Sequence, residues 1–403
     1  MATIPVKYMH SGMAGAPALN GTVGAMIAVL DACLINGFGL KTVDSLVVAS
    51  NVATMTISTG HSFEVGSVPL ISGVTGALSA LNGEWRVTAT TTNTVTFDAP
   101  GVANGTAAGT ITTKVAPLGW SKPYGTGNYA AYKSTDPATL GHYLRVDDTN
   151  ATNARVRGFE TMTTVDNGTG LYPTDAQISG GGYWLKSNTA DSTSRNWAVI
   201  GDGRIFYVWA VPQDAVSVTS QGTFYWFGDF AAAGSTDVYS SCIGCRNASN
   251  AQHPSTMFYT WDTQYAYIYA PRSYTGIGSS VAVRPTAETY LAMAGYNSGI
   301  ANSAAYTMAY PNQPDNGFYL SKTLVMEGAA NNAIFTLRGV FPGAYFVPQN
   351  TGFALTSKDT VAGQNDMAGR RLLALRYGYG GGGTNSMGGF YGVGVFDVTG
   401  PWR

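Results

Sequence analysis

Residues 197–211 read Trp197-Ala-Val-Ile-Gly-Asp-Gly-Arg-Ile-Phe-Tyr-Val-Trp-Ala-Val211, followed by Thr223-Phe-Tyr-Trp-Phe227. The runs Trp197–Ile200 and Arg204–Ala210 have strand length and strand composition, because aromatic and β-branched side chains suit a pleated surface. Asp202-Gly203 between them is a strong two-residue hairpin signal. Phe258-Tyr-Thr-Trp261, Tyr265-Ala-Tyr-Ile-Tyr269 and Ala333-Ile-Phe-Thr-Leu337 continue the pattern. The spacing predicts a large antiparallel β-sandwich over 118–403 with a Gly-rich C-terminal strand region. The Pro- and Gly-bearing stretches 271–290 and 340–352 read as turns at its ends. No repeat, coiled-coil heptad or triple-helix pattern marks a fibrous shaft.

Composition points the same way. Charged residues make up 11% of the 403, and the 51 glycines are about one residue in eight. Ordinary domains carry roughly 25% charged residues and about 7% Gly. Hydroxyls and amides therefore solvate this surface, and helix-forming Lys, Glu and Gln are too scarce for a helical protein. A formal charge of −1 and a pI near 6.4 leave no field to attract phosphate backbones, so nucleic acid is not an expected partner. No stretch is long and apolar enough to insert in a membrane, and the N-terminus has no secretion-signal pattern.

Residues 1–40 read as an N-terminal arm followed by one anchoring helix. Val23, Met26, Ile27, Leu30, Cys33 and Leu34 form a stripe at helical spacing, with Thr22 as N-cap and Gly37 as stop. From 41 to 117 short alternating runs separated by Gly, Asn and Ser predict a small β-barrel or sandwich module. In it Val52, Thr54 and Thr56 alternate with Ala53, Met55 and Ile57, which implies one covered face.

The chain offers little catalytic chemistry. Gly378-x-Gly380-x-x-Gly383 leads into a strand-like run, whereas a dinucleotide fingerprint needs a helix N-terminus there. Cys242 and Cys245 form a Cys-x-x-Cys pair, yet a closed zinc site needs two more ligands and only His253 is near in sequence. Reduced structural thiols are the preferred reading, with metal or redox chemistry the lesser one. Few glutamates and turn-borne aspartates leave polysaccharide cleavage without a legible carboxylate pair. The expectation is no enzyme, no cofactor and no metal. Tyr265, Tyr267 and Tyr269 have the period that puts three rings on one sheet face. That face suits either sugar stacking or packing against another sheet or subunit, with packing favoured.

One segment carries a resemblance. Tyr143-Leu-Arg-Val-Asp-Asp-Thr-Asn-Ala-Thr-Asn-Ala-Arg-Val-Arg-Gly-Phe-Glu-Thr-Met162, with Val165-Asp-Asn-Gly-Thr-Gly170 and Pro173-Thr174, resembles a segment of structural proteins of tailed bacteriophages. Gly119-Trp120 followed by Tyr132-Lys133 leads into it as in that family. Gly60-His61-x-Phe63-x-Val65-Gly66, Leu81-Asn-Gly-Glu84 and Val95-Thr-Phe97 resemble a small β-module of phage tail proteins, with His61 shaping a turn. The module therefore reads as an insertion. The resemblance covers roughly the first half of the chain. It implies a tail, baseplate or tail-tip component that works by assembly, as a homo-oligomer with a trimer favoured. Residues 1–40 would bind other tail proteins, and the protein would sit in the virion after assembly in the host cytoplasm. The alternative is a receptor-binding tail protein that recognises host surface glycan; a glycan-degrading tailspike is disfavoured. Arg145, Asp147, Asp148, Arg155, Arg157, Glu160 and Asp166 concentrate charge that is costly to bury unpaired. They are expected to pair with one another or across a subunit boundary, as an inter-subunit clasp.

Overall fold

The computed structural model describes residues 3–213, 222–249, 266–287, 308–328, 336–349, 354–378 and 391–403. The chain begins with strand β1 (Lys7–His10), whose four residues are all buried, and helix α1 (Ala25–Leu30). The helix continues as a π-helical stretch, Asp31–Asn36, and stops at Gly37, which takes a left-handed φ of 67°. Met26, Leu30, Cys33 and Leu34 bury the expected stripe, while Val23 precedes the helix and is exposed. The expected cap at Thr22 is not used. Gly24 occupies the N-cap, and the first amides go to Asp148.

Nine strands build the small module: β2 (Phe38–Thr42), β3 (Ser45–Ala49), β4 (Val52–Thr56), β5 (Pro69–Ser72), β6 (Gly83–Glu84), β7 (Val87–Thr90), β8 (Thr94–Asp98), β9 (Gly105–Thr106) and β10 (Thr112–Val115). They form two sheets, in the orders β2-β10-β5-β6 and β7-β8-β4-β3-β9. Ala53, Met55 and Ile57 are fully buried, as the alternation predicts. His61 shapes a turn, accepting the Phe63 amide at Nδ1 and lying 3.0 Å from Thr94 O through Nε2.

The body continues with β11 (Ser121–Thr126), β12 (Tyr129–Lys133), β13 (Tyr143–Asp147), β14 (Asn153–Phe159), the short pair β15 (Thr161–Met162) and β16 (Gly168–Thr169), and β17 (Gly182–Leu185). Next come β18 (Trp197–Gly201), β19 (Ile205–Ala210), β20 (Thr223–Asp229), β21 (Ala231–Ala232), β22 (Ser241–Arg246), β23 (Ala266–Ala270), β24 (Val281–Ala287), β25 (Ser321–Glu327), β26 (Thr336–Phe346), β27 (Thr360–Ala362), β28 (Arg371–Gly378) and β29 (Tyr391–Asp397). Among the described residues eighteen strands, β1 among them, join in one antiparallel network. The protein is mainly β, with large antiparallel sheets and, among the described residues, one short α-helix.

The aromatic runs lie at its centre. The hairpin β18–β19 turns at Asp202, whose carboxylate accepts the Arg204 and Ile205 amides. Register sets Phe206 opposite Phe227 and Tyr207 opposite Trp226, so the β19–β20 pair shows aromatic side chains on both faces. On one face Phe206 and Phe227 meet Trp120, and Tyr225 stacks on Trp184. On the other, Tyr207 and Phe224 meet Phe396, and Trp226 meets Phe341. A strand covered on both faces has no polar side, which is why these runs are apolar throughout and do not alternate.

Two expected turn regions are partly strand. Residues 281–287 form β24 and 340–346 lie in β26. Among the described residues β23 pairs with β24 at 281–283, so Pro285 has β25 alone as its ladder neighbour and sits where the strand is locally an edge. Phe258–Trp261, Ala333, Gly380 and Gly383 lie outside the described residues.

Candidate functional site

Strands β12, β13, β14 and β17 pair in that order. Their inward positions, Ala130, Tyr132, Leu144, Val146, Ala154, Val156 and Trp184, are buried. Period-2 alternation puts Tyr129, Lys133, Tyr143, Arg145, Asp147, Arg155, Arg157 and Tyr183 on the outer face, all half-buried. Four of the seven clasp residues thus share one face. Register sets Arg145 opposite Arg157 and Asp147 opposite Arg155.

Like charges directly opposite on a sheet repel. Here segment 160–181 supplies the counter-groups. Arg145 donates to Asp166 at 2.7 Å and to Val165 O at 2.8 Å, and its guanidinium lies over the Tyr129 ring. Arg157 pairs with Asp175. Arg155 donates to Ser179 O and Gly181 O at 2.5 and 2.6 Å and stacks 3.8 Å above the Tyr183 ring centroid. The three arginines fasten one loop to one sheet face within a single chain. Only Arg145 and Asp166 pair inside the expected set.

The other members go elsewhere. Asp147 holds the turn that follows it, accepting from Thr149. Glu160 takes Arg272 through both oxygens, at 2.7 and 3.1 Å. Asp148 points inward and is fully buried against Lys186, also fully buried. Its second oxygen accepts the Met26 and Ile27 amides at 2.7 and 3.1 Å, while Lys186 also donates to Thr22 O at 2.6 Å. Burial pushes the Asp148 carboxyl up and the Lys186 ammonium down, each opposed by its partner. This pair fixes the start of α1 on the body.

A second polar arrangement was not legible in the sequence. His142 Nδ1 lies 3.3 Å from Tyr172 Oη, which lies 3.3 Å from Ser241 Oγ. Ser241 also bonds Asp229, whose Oδ2 accepts the Leu140 amide at 2.9 Å. Burial lowers His142 to about 4 and raises Asp229 to about 6. Asp229 lines a cleft of about 230 Å³ with Leu140, Arg204, Phe230, Ser240 and Arg403. No sequence motif links His142, Tyr172, Asp229 and Ser241, since they come from four separate segments.

Cys242 and Cys245 form no disulfide and are buried on β22, and burial raises the Cys242 thiol to about 12. Three positions apart on a strand, they point to opposite faces, which suits two core thiols and not one chelating pair. His253 lies outside the described residues, among which no cluster of three or more His, Cys, Asp or Glu is placed to hold a metal ion. Of the tyrosine stripe, Tyr265 lies outside the described residues, as does the side chain of Tyr267. Tyr269 is 3% exposed and packs in the main core, so its ring faces protein and offers no surface to a sugar. No helix among the described residues is long and apolar enough to cross a membrane.

No family model and no curated protein matches the chain. A solved structure, the phage phi92 endosialidase, aligns with 90% of this chain and 52% of its own at 10% sequence identity, with a TM-score of 0.17. The chain spans about half the length of that protein, and a superposition this loose establishes no shared fold.

Proposed function

We propose that this chain is a non-enzymatic structural component of a phage particle, in the tail, baseplate or tail tip, acting through subunit assembly. One observation carries the reading. In segment 143–174, where the resemblance to phage structural proteins lies, the charges hold a loop and a helix on the sheets instead of converging on one ligand space. Charge used this way stabilises a shape, and a fixed shape is what a repeated assembly contact requires. The expected trimer, and contacts of residues 1–40 with other tail proteins, belong to this proposal. Within the single chain β1 and the helical stripe are already buried, so such contacts fall to exposed positions such as Val23 and Leu40.

A second reading, recognition of host surface glycan, is favoured by the outer face of β12, β13, β14 and β17. There Tyr129, Tyr143 and Tyr183 lie among Lys133, Arg145 and Arg155, a mixture that can stack on sugar rings and bond hydroxyls.

Antibody-labelled electron microscopy of intact particles tests the first reading. Label on the tail is expected, and particles without the chain would overturn it. Binding of purified protein to host polysaccharide, abolished by Tyr183→Ala with tail labelling retained, would establish the second. Release of reducing sugar would sink both.

A further inference from the structure

Asp148 and Lys186 bring together more than two opposite charges. Both side chains are 0% exposed, and Lys186 Nζ contacts Asp148 Oδ1. The other carboxyl oxygen, Oδ2, accepts the Met26 and Ile27 amides at 2.7 and 3.1 Å, while Nζ donates to Thr22 O at 2.6 Å. An amine and two backbone donors are thus fixed around one carboxyl carbon, Asp148 Cγ, and the fold has already met the entropy cost of bringing them together.

The dry setting favours the neutral forms. Desolvation raises the Asp148 carboxyl and lowers the Lys186 ammonium, each against the attraction of the other. Moving one proton from Nζ to the carboxyl leaves a free amine beside a neutral acid. In water an acid and an amine rest as hydrated ions and do not condense. Burial removes the hydration that stabilises those ions and excludes the water that would hydrolyse an amide.

We infer that Asp148 and Lys186 are the two ends of an intramolecular isopeptide bond, which the folded chain forms on itself. The Nζ lone pair attacks Cγ, an N–C bond forms, and negative charge develops on Oδ2, where the Met26 and Ile27 amides stabilise it. The Cγ–Oδ1 bond then breaks. Oδ1 leaves as water, carrying the carboxyl proton and one proton from Nζ, and the contact between Nζ and Oδ1 is the path for that second proton. The remaining N–H keeps its bond to Thr22 O. The step is a condensation and needs no oxidant or cofactor.

The bond has a mechanical consequence. Asp148 directly follows β13 and Lys186 directly follows β17, the two strands that flank β14. A covalent link there staples three strands of the sheet and holds the start of α1 on them, in a chain whose cysteines form no disulfide. This inference goes beyond the assembly role and does not depend on it.

Mass spectrometry of the purified, denatured full chain should give a mass lower by one water than the sequence requires. A tryptic digest should contain residues 146–155 joined to the peptide that bears Lys186, with fragmentation placing the link on Asp148 and not on Asp147. Lys186→Arg keeps the charge and cannot make this bond, so it should have the full mass and separate peptides. Wild type with the full mass and both peptides separate overturns the inference. So does a Lys186→Arg protein that still lacks the water, because cyclisation at an aspartate would then account for the loss. The linked wild-type peptide is decisive even where the variant fails to fold.

Discussion

Asp148 and Lys186 show how much depends on where a charge ends up. Breaking a fully buried ion pair leaves one charge uncompensated, at a cost of about 3–5 kcal/mol. Asp148→Ala should therefore lower the denaturation midpoint strongly. Adding Lys186→Met should recover part of the loss but not all, because the Met26 and Ile27 amides would still lack their acceptor. His142 and Asp229 give a signed pH dependence. His142, lowered by burial to about 4, contributes stability above its unfolded pKa near 6.5, and the contribution is lost as pH falls towards 4. Asp229, raised by burial to about 6, contributes stability that is complete below its unfolded pKa near 3.9 and is lost as pH rises through 6. The two oppose each other between pH 4 and 6. Urea melts across that window should show Asp229→Asn losing stability on acidification more steeply than wild type, and His142→Phe less steeply. Parallel profiles for all three proteins would refute the assignment. Sequence marked Asp148 as part of a charge concentration, yet its partner stands 38 positions away and had no signal to announce it.

At the scale of elements, glycine and aromatic content are two sides of one packing device. Trp226 lies opposite Gly244 in register, and a Cβ at Gly244 would run into the Trp226 ring. Gly158 relates to Tyr172 in the same way. A ring laid across a neighbouring strand needs a residue without a side chain beneath it. Gly244→Ala should cost about 1–3 kcal/mol by overpacking, measurable as a lower melting temperature, and Trp226→Leu in the same chain should relieve part of it. The β13–β14 pair and its loop make the complementary case with charge. Arg155→Ala should speed proteolysis within 160–181 several-fold, because two carbonyl bonds and the Tyr183 stack hold that loop. Unchanged cleavage would show that Arg145 and Arg157 suffice. Strand existence was legible in composition and period, as Leu46–Ala49 and Val52–Ile57 show. The strands at 281–287 and 340–346 were hidden by prolines that the sheet accommodates.

At the scale of the whole molecule, the module and the body share one hydrophobic core, and buried polar side chains tie them as well. Arg86 donates to Gly66 O and Val6 O, and to Val398 O and Thr399 O from the far end of the chain. Lys7 pairs with Glu84 at 2.6 Å in a largely buried setting. Calorimetry of Arg86→Met should show a transition at lower temperature than wild type, since four carbonyls lose a charged donor worth well over ~1 kcal/mol each. A single unshifted transition would place the coupling elsewhere. Sequence by itself determined that this protein is β-rich and poor in charge, that one buried helical stripe runs from Met26 to Leu34, and that charge collects between 143 and 166. These are local properties of period and composition, written in neighbouring residues. Only the tertiary structure decided that the aromatic runs are covered on both faces, that β1 is a buried strand and not a free arm, and that each charge of 143–166 has its particular partner. Those outcomes depend on strand register and on contacts between residues tens to hundreds of positions apart, which no local pattern encodes.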